Sequence, residues 1–274
     1  MANEQNRSHW NHTGQTWVAH QRTFDCMLQP IGDLLLERAA LRSGERVLDV
    51  GCGYGTTTMA VAELGAAAHG IDISDTMIAA ARQRVPSATF EVADAQTEAL
   101  EGPFDSVISR FGVMFFDDPA AAFANIARHT AVGGRLTFVC WNDQGRSSAV
   151  WAGSELLRAA LPTPPPPPHP HAPGPFAVAD PDRTRHLLAE AGWAGISITG
   201  HHVPCQIGWP DSDGVAERLA VVLASEAGQL LREQVPSQDQ PMVIEAARQS
   251  LRQRVVDGAV CLDASVWVVA ATRQ

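Results

Sequence analysis

The stretch Val47-Leu48-Asp49-Val50-Gly51-Cys52-Gly53-Tyr54-Gly55 sets three glycines at alternate positions behind an apolar, strand-like run. Glycine accepts positive φ and has no side chain, so a ligand can lie directly against such a loop. A helix starting just beyond it would offer free N–H groups and the positive end of its dipole. Asp49 stands two positions before the first glycine. A carboxylate there would repel a pyrophosphate and would suit a ligand carrying cationic groups. Two more carboxylates close strand-like runs downstream. Asp72, 23 residues after Asp49, can accept both hydroxyls of a ribose. Asp94, within Ala93-Asp94-Ala95-Gln96, can accept a hydrogen bond from an adenine amino group. Open α/β sheets bind their ligands at this carboxyl edge. The chemistry on offer is the binding of a nucleoside with a positively charged tail.

The elements that position these residues alternate regularly. Residues 45–50, 66–73, 88–94, 104–109 and 135–141 read as strands, with helices over 56–64, from Ser74 to about 84, and over 119–130. Ser74 is a fitting N-cap, as is Asp118 ahead of Pro119. Gly133-Gly134 predicts a turn into the fifth strand. Such alternation predicts a parallel α/β sheet. Upstream, Trp10, Trp17 and Phe24 recur every seven residues and would share one helical face. Residues 31–42 read as an amphipathic helix ending near Gly44. Downstream, residues 151–161, 181–191, 214–233 and 240–256 read as helices, and 196–207 and 265–272 as strands. Nine of the eighteen prolines fall between Pro162 and Pro175, so that segment reads as an extended solvent loop.

VLDVGCGYG, GIDIS with Met77 beyond it, the Asp94 strand end and the Gly-Gly-Arg-Leu turn together resemble the class I, Rossmann-like, S-adenosylmethionine-dependent methyltransferases. The ubiquinone/menaquinone-type and related small-molecule methylases are the group most resembled. The resemblance covers roughly residues 40–142. It implies a seven-stranded, mostly parallel, doubly wound sheet with an N-terminal helical lid and helical cap insertions. The implied division is a lid over 1–43, a cofactor-binding core over 44–142, and cap insertions plus the last two strands over 143–274. It implies S-adenosylmethionine as cofactor, with Asp49, Gly51, Cys52 and Gly53 at its methionine end. Asp72 would hold the ribose, with Ile73 and Met77 beside it; Asp94, Ala95 and Gln96 would meet the adenine. Arg110 and Phe111 would lie under the reacting centre, and Trp17 of the lid would cover the cofactor.

The methyl acceptor is expected in an apolar pocket. Phe115 and Trp141 are the named substrate contacts, among the candidates Phe111, Val113, Met114 and Phe116. His20, three residues from Trp17, is the general-base candidate. Ser109-Arg110-Phe111-Gly112 lacks the Asn/Asp-Pro-Pro-aromatic signature of nucleic-acid amino-methylases, and no metal is expected. A nicotinamide oxidoreductase would carry G-x-G-x-x-G, where this chain continues Tyr54-Gly55-Thr56-Thr57. A cofactor-binding protein of the same scaffold with a non-methylating activity stays open as the alternative.

Composition agrees with a small-molecule partner. The net charge of −10 gives no counterion-release drive toward nucleic acid. Five scattered cysteines without a Cys-x-x-Cys pair fit a reducing, cytoplasmic setting. No secretory signal or membrane span is read from the sequence. A homodimer through residues 214–256 is compatible with the pattern.

Overall fold

The computed structural model describes residues 3–143, 149–166, 169 and 171–274. Two helices lead, α1 (Glu4–Ala19) and α2 (Gln21–Ala39). The alternating region follows: β1 (Arg46–Val50), α3 (Thr56–Glu63), β2 (Ala67–Asp72), α4 (Asp75–Arg84), β3 (Thr89–Val92), β4 (Phe104–Arg110), α5 (Pro119–Arg128) and β5 (Thr130–Trp141). The remainder comprises α6 (Ser154–Ala159), α7 (Pro181–Glu190), β6 (Trp193–Ile207), α8 (Val215–Ala224), α9 (Glu226–Gln234), α10 (Gln240–Arg252), β7 (Val255–Val256) and β8 (Ala259–Arg273).

The sheet runs β3-β2-β1-β4-β5-β8-β6. The pairs from β3 through β5 are parallel, and β8 lies antiparallel between β5 and β6. This is the class I methyltransferase arrangement of seven strands, with the two-residue β7 added as an eighth against β8. The strand order reverses between β1 and β4, so their carboxyl ends open a crevice there. Strands with both faces covered read as continuous apolar runs. Leu48, Val107, Ile108, Leu136, Phe138 and Val139 are accordingly fully buried. Trp193, 2% exposed, donates its indole N–H to the carbonyl of Phe123 at 3.1 Å and locks β6 to α5.

The helix expected over 240–256 ends at Arg252, and Val255–Val256 form β7 instead. Four further details depart from the sequence reading. The helix expected from residue 31 begins at Gln21 and carries Pro30 inside it. The Gly133-Gly134 turn is absorbed into β5 as an irregularity: Thr130 pairs with Phe104 and Arg135 with Ser106. The single helix expected over 214–233 divides at Ser225, whose extended backbone ends α8 and starts α9. The final strand is longer than expected because residues 260–264 pair with 203–207. Asp118 and Ser74 cap their helices as read, accepting from the amides of Ala121 and Met77. Of the proline loop, Pro167, Pro168 and Pro170 lie outside the described residues. No helix among the described residues is long and apolar enough to cross a membrane.

Candidate functional site

The loop between β1 and α3 is held in a shape that only glycine takes easily. Gly51, Gly53 and Gly55 have φ of +69°, +56° and +85°. At Gly51 the reason is also contact: a Cβ would stand 2.6 Å from the Cα of Gly112. Reciprocally, a Cβ on Gly112 would stand 2.5 Å from the Val50 carbonyl oxygen. The tips of β1 and β4 thus press backbone to backbone. Buried Ser109 fastens them, donating to the Val50 carbonyl at 2.7 Å and accepting from the amides of Gly112 and Val113. Gly112 and Ser109 were not singled out in the sequence, because only the sheet order brings them to the glycine loop.

Three carboxylates lie along this edge. Asp49 is 2% exposed and accepts from the Thr58 hydroxyl at 2.7 Å. Burial pushes its pKa up to about 6, against the opposing Thr58 hydrogen bond and the Arg110 charge. Asp72 accepts from the backbone N–H of Gly53 and of Ser74, both at 2.9 Å. Burial raises its pKa too, and these N–H groups work in the other direction. Asp94 accepts from the Gln96 amide at 2.9 Å and from the Thr97 hydroxyl at 3.1 Å.

The other sequence-designated residues divide by position. Ile73 is half-buried, and Met77 is buried beneath Gly14 of α1. The Gln96 side chain accepts from the Asp118 amide, and the Ala95 carbonyl from Asn125. Arg110 donates to the Leu28 carbonyl of α2 at 3.3 Å. Phe111, at φ +69°, stacks on Trp141 with centroids 4.5 Å apart. The Cys52 thiol packs with Ile78, Ala81 and Phe90 behind the loop, which leaves its backbone for the site. Val113 and Met114 are buried in the core, each 1% exposed.

The N-terminal helices close over this edge. Asn3 donates to Asp94 at 2.5 Å while its own amide oxygen is buried without a partner. Asn6 donates to the Phe115 carbonyl, and Trp10 meets Phe115 edge-on at 4.8 Å. Ser74 donates to the Asn11 side chain. The reading of Trp10, Trp17 and Phe24 on one helical face needs correction. The helix breaks at His20, which ends α1 and begins α2. Trp17 and Phe24 stack across that break, with ring centroids 3.9 Å apart and nearly parallel planes. His20 therefore sits at the junction, not on a continuous face with Trp17. A further cluster, absent from the sequence reading, ties α2 to the loop. Asp25 accepts from Tyr54 at 3.1 Å, Thr56 at 2.7 Å and Arg84 at 2.7 Å.

Beyond Trp141 the aromatic row continues. Trp151 lies 5.5 Å from Trp141, and Phe176 lies 6.2 Å from Trp151. Neither was distinguishable in the sequence, because both reach the row from segments outside the alternating region. Among the described residues no three His, Cys, Asp or Glu side chains gather as a metal-binding group.

Comparison with known proteins places this arrangement. Residues 48–138 match a family described as "Methyltransferase domain". An uncharacterized protein of Mycobacterium tuberculosis is 32% identical over 124 residues, which is 43% of this chain and 45% of that protein. The aklanonic acid methyltransferase DauC of a Streptomyces species is 36% identical over 118 residues, 40% of this chain and 54% of that enzyme. The chain thus spans about half the length of these curated relatives. A solved structure titled for the conversion of a disulfide bond into a thioacetal group during echinomycin biosynthesis superposes with TM-score 0.55 at 24% identity, over 89% of this chain and 81% of that one. That likeness is one of fold.

Proposed function

We propose that the protein is an S-adenosylmethionine-dependent methyltransferase acting on a small, largely apolar organic molecule at an O, N or C atom. The observation that carries the reading is the set of three carboxylates, Asp49, Asp72 and Asp94, along the carboxyl edge beside a positive-φ glycine loop. The residues fit the cofactor. The direction in which a Cβ would leave Gly53 meets nothing nearer than the Met77 sulfur at 4.0 Å, so the backbone there is open to a ligand. Bound adenosylmethionine would supply an electrophilic methyl group on a sulfonium. The chain's own residues supply charge, position and exclusion of water.

Asp49 and the Gly51–Gly53 backbone hold the methionine end. Asp72 accepts from the ribose hydroxyls while keeping the loop in place through Gly53. Asp94 accepts from the adenine amino group, the place that Asn3 holds in the closed lid. Cofactor entry therefore requires the start of α1 to leave Asp94. Phe111, Trp141 and Phe115 bound the acceptor side, and their rings keep water from the reacting atoms. Arg110 holds the lid helix α2 over the reacting centre. His20 remains the proposed proton acceptor for acceptors that need one. The lid, core and cap divide at residues 43 and 142.

The direct test is turnover. The protein should release S-adenosylhomocysteine when adenosylmethionine is supplied with phenolic, quinone-like or natural-product acceptors. Tight cofactor binding with no turnover across a broad acceptor panel would favour a non-methylating role.

The raised pKa of Asp49 gives a second expectation. Its folded-state value of about 6 lies above the unfolded 3.8, so the folded apoprotein binds more protons between these limits. Stability of the apoprotein should fall as pH rises from about 4 to about 6. Affinity for the cationic cofactor should move the other way, weakening by up to about tenfold per pH unit below pH 6. Titration calorimetry from pH 5 to 8 measures this. Asp49→Asn should bind weakly with a flat profile; a wild-type profile already flat from pH 5 to 8 would remove Asp49 from the cofactor contacts.

A further inference from the structure

The cap is built from α6, α8, α9 and α10 packed on one another. Its interior holds one group with no evident structural reason to be there. Arg218 of α8 is 5% exposed. One Nη donates to the Val150 carbonyl, and its Nε is buried without a partner. No carboxylate among the described residues pairs with it. The acids near it are engaged elsewhere: Glu217 accepts from Ser212, Asp213 from the Val215 amide, and Glu226 meets Arg158. Of the other cap arginines, Arg158, Arg248 and Arg252 have ion-pair partners, and Arg232, on the exposed side, donates to the Leu223 carbonyl. A guanidinium stays charged when buried, and a buried charge without a counter-ion is costly. Apolar residues of similar volume would fill the same space without that cost.

The position of Arg218 suggests what it serves. Val150, which receives its hydrogen bond, directly precedes Trp151. Trp151 continues through Trp141 to Phe111 at the end of β4, beside the glycine loop. The row of rings therefore runs from the proposed reacting centre to the residue next to the one that receives the guanidinium's hydrogen bond. We propose that Arg218 is the anchor for an oxyanion on the methyl acceptor, and that the acceptor is a planar aromatic molecule carrying an ionised carboxylate or phenolate. The rings would take the aromatic body, and the forked guanidinium would take the anion with charge-assisted hydrogen bonds. This deepens the methyl-transfer reading and rests on it for the location of the acceptor.

The test uses the full chain saturated with S-adenosylhomocysteine. The probes are 2-naphthoate and anthraquinone-2-carboxylate, each paired with its neutral carboxamide. Wild type should bind at least one carboxylate more tightly than its amide by about tenfold or more, the loss expected when a charge-assisted contact is removed. Arg218→Met and Arg218→Gln should erase that preference, and Arg218→Lys should keep part of it. Adenosylhomocysteine affinity should stay within about twofold throughout, since Arg218 touches no proposed cofactor contact. Arg218→Met should melt at the wild-type temperature or above, because it removes an uncompensated buried charge. Equal affinity of wild type for acid and amide would overturn the proposal, as would failure to bind any probe. So would a preference that survives Arg218→Met. If that variant does not fold, the wild-type preference and the Arg218→Lys series decide. Loss of adenosylhomocysteine binding by wild type, with the carboxylate preference intact, would instead overturn the methyltransferase reading.

Discussion

Gly51→Ala should cost about 3 kcal/mol of stability and lower the melting temperature by about 10 °C. Two effects add. A residue with a Cβ pays about 1–2 kcal/mol to hold φ +69°. The new carbon would also stand 2.6 Å from the Gly112 backbone, which has no side chain to swing away. Relief requires parting the tips of β1 and β4, and that displaces the loop which Asp72 holds. Cofactor affinity should therefore fall with stability. Gly112→Ala should act alike, because its Cβ would meet the Val50 carbonyl at 2.5 Å. Gly133→Ala is the control: its φ is +77°, but nothing lies within 4 Å of the added carbon. It should cost about 1 kcal/mol and leave binding intact. Urea denaturation of the three variants measures the contrast. Equal destabilisation at positions 51 and 133 would mean that the close approach of the two strand ends does not matter.

Asp72→Ala should weaken S-adenosylhomocysteine binding about a hundredfold or more while leaving the fold cooperative. The carboxylate accepts from two backbone N–H groups, and hydrogen bonds to a charged group contribute about 1.5–3 kcal/mol each. Its removal frees Gly53 to change conformation and takes away the proposed ribose contact together. Asp72→Asn should be intermediate, since an amide keeps one acceptor oxygen. Calorimetry gives the affinity, and circular dichroism checks the fold. Binding by Asp72→Ala within about threefold of wild type would place the ribose elsewhere.

What could be read in advance depended on local chemistry. The glycine loop and the Ser74 and Asp118 caps each follow from a few neighbouring residues and stand in the structure where the sequence put them. Asp72 closes β2 as read, while β3 ends at Val92, two residues before Asp94. The parallel order followed from alternation alone. Features that depend on distant residues were not legible. The seven-residue spacing of Trp10, Trp17 and Phe24 implied a shared face, yet Trp17 and Phe24 meet by folding across the break at His20. Ser109 and Gly112 became visible only once β4 lay beside β1. Nothing local marks Arg218 within the helical stretch 214–233, and its burial depends on how α8 meets the turn at Val150. Trp151 and Phe176 joined the aromatic row through long connections that carry no local pattern.

On the proposed function the site takes a sulfonium nucleoside rather than a dinucleotide. Titration calorimetry of the full chain with S-adenosylmethionine, S-adenosylhomocysteine and NAD tests it most directly. The carboxylates at 49, 72 and 94 predict micromolar binding of the first two, and repulsion of a pyrophosphate by Asp49 predicts none of the third. Binding of NAD, with neither adenosylmethionine nor its homocysteine product held, would contradict the account and move the chemistry to hydride transfer.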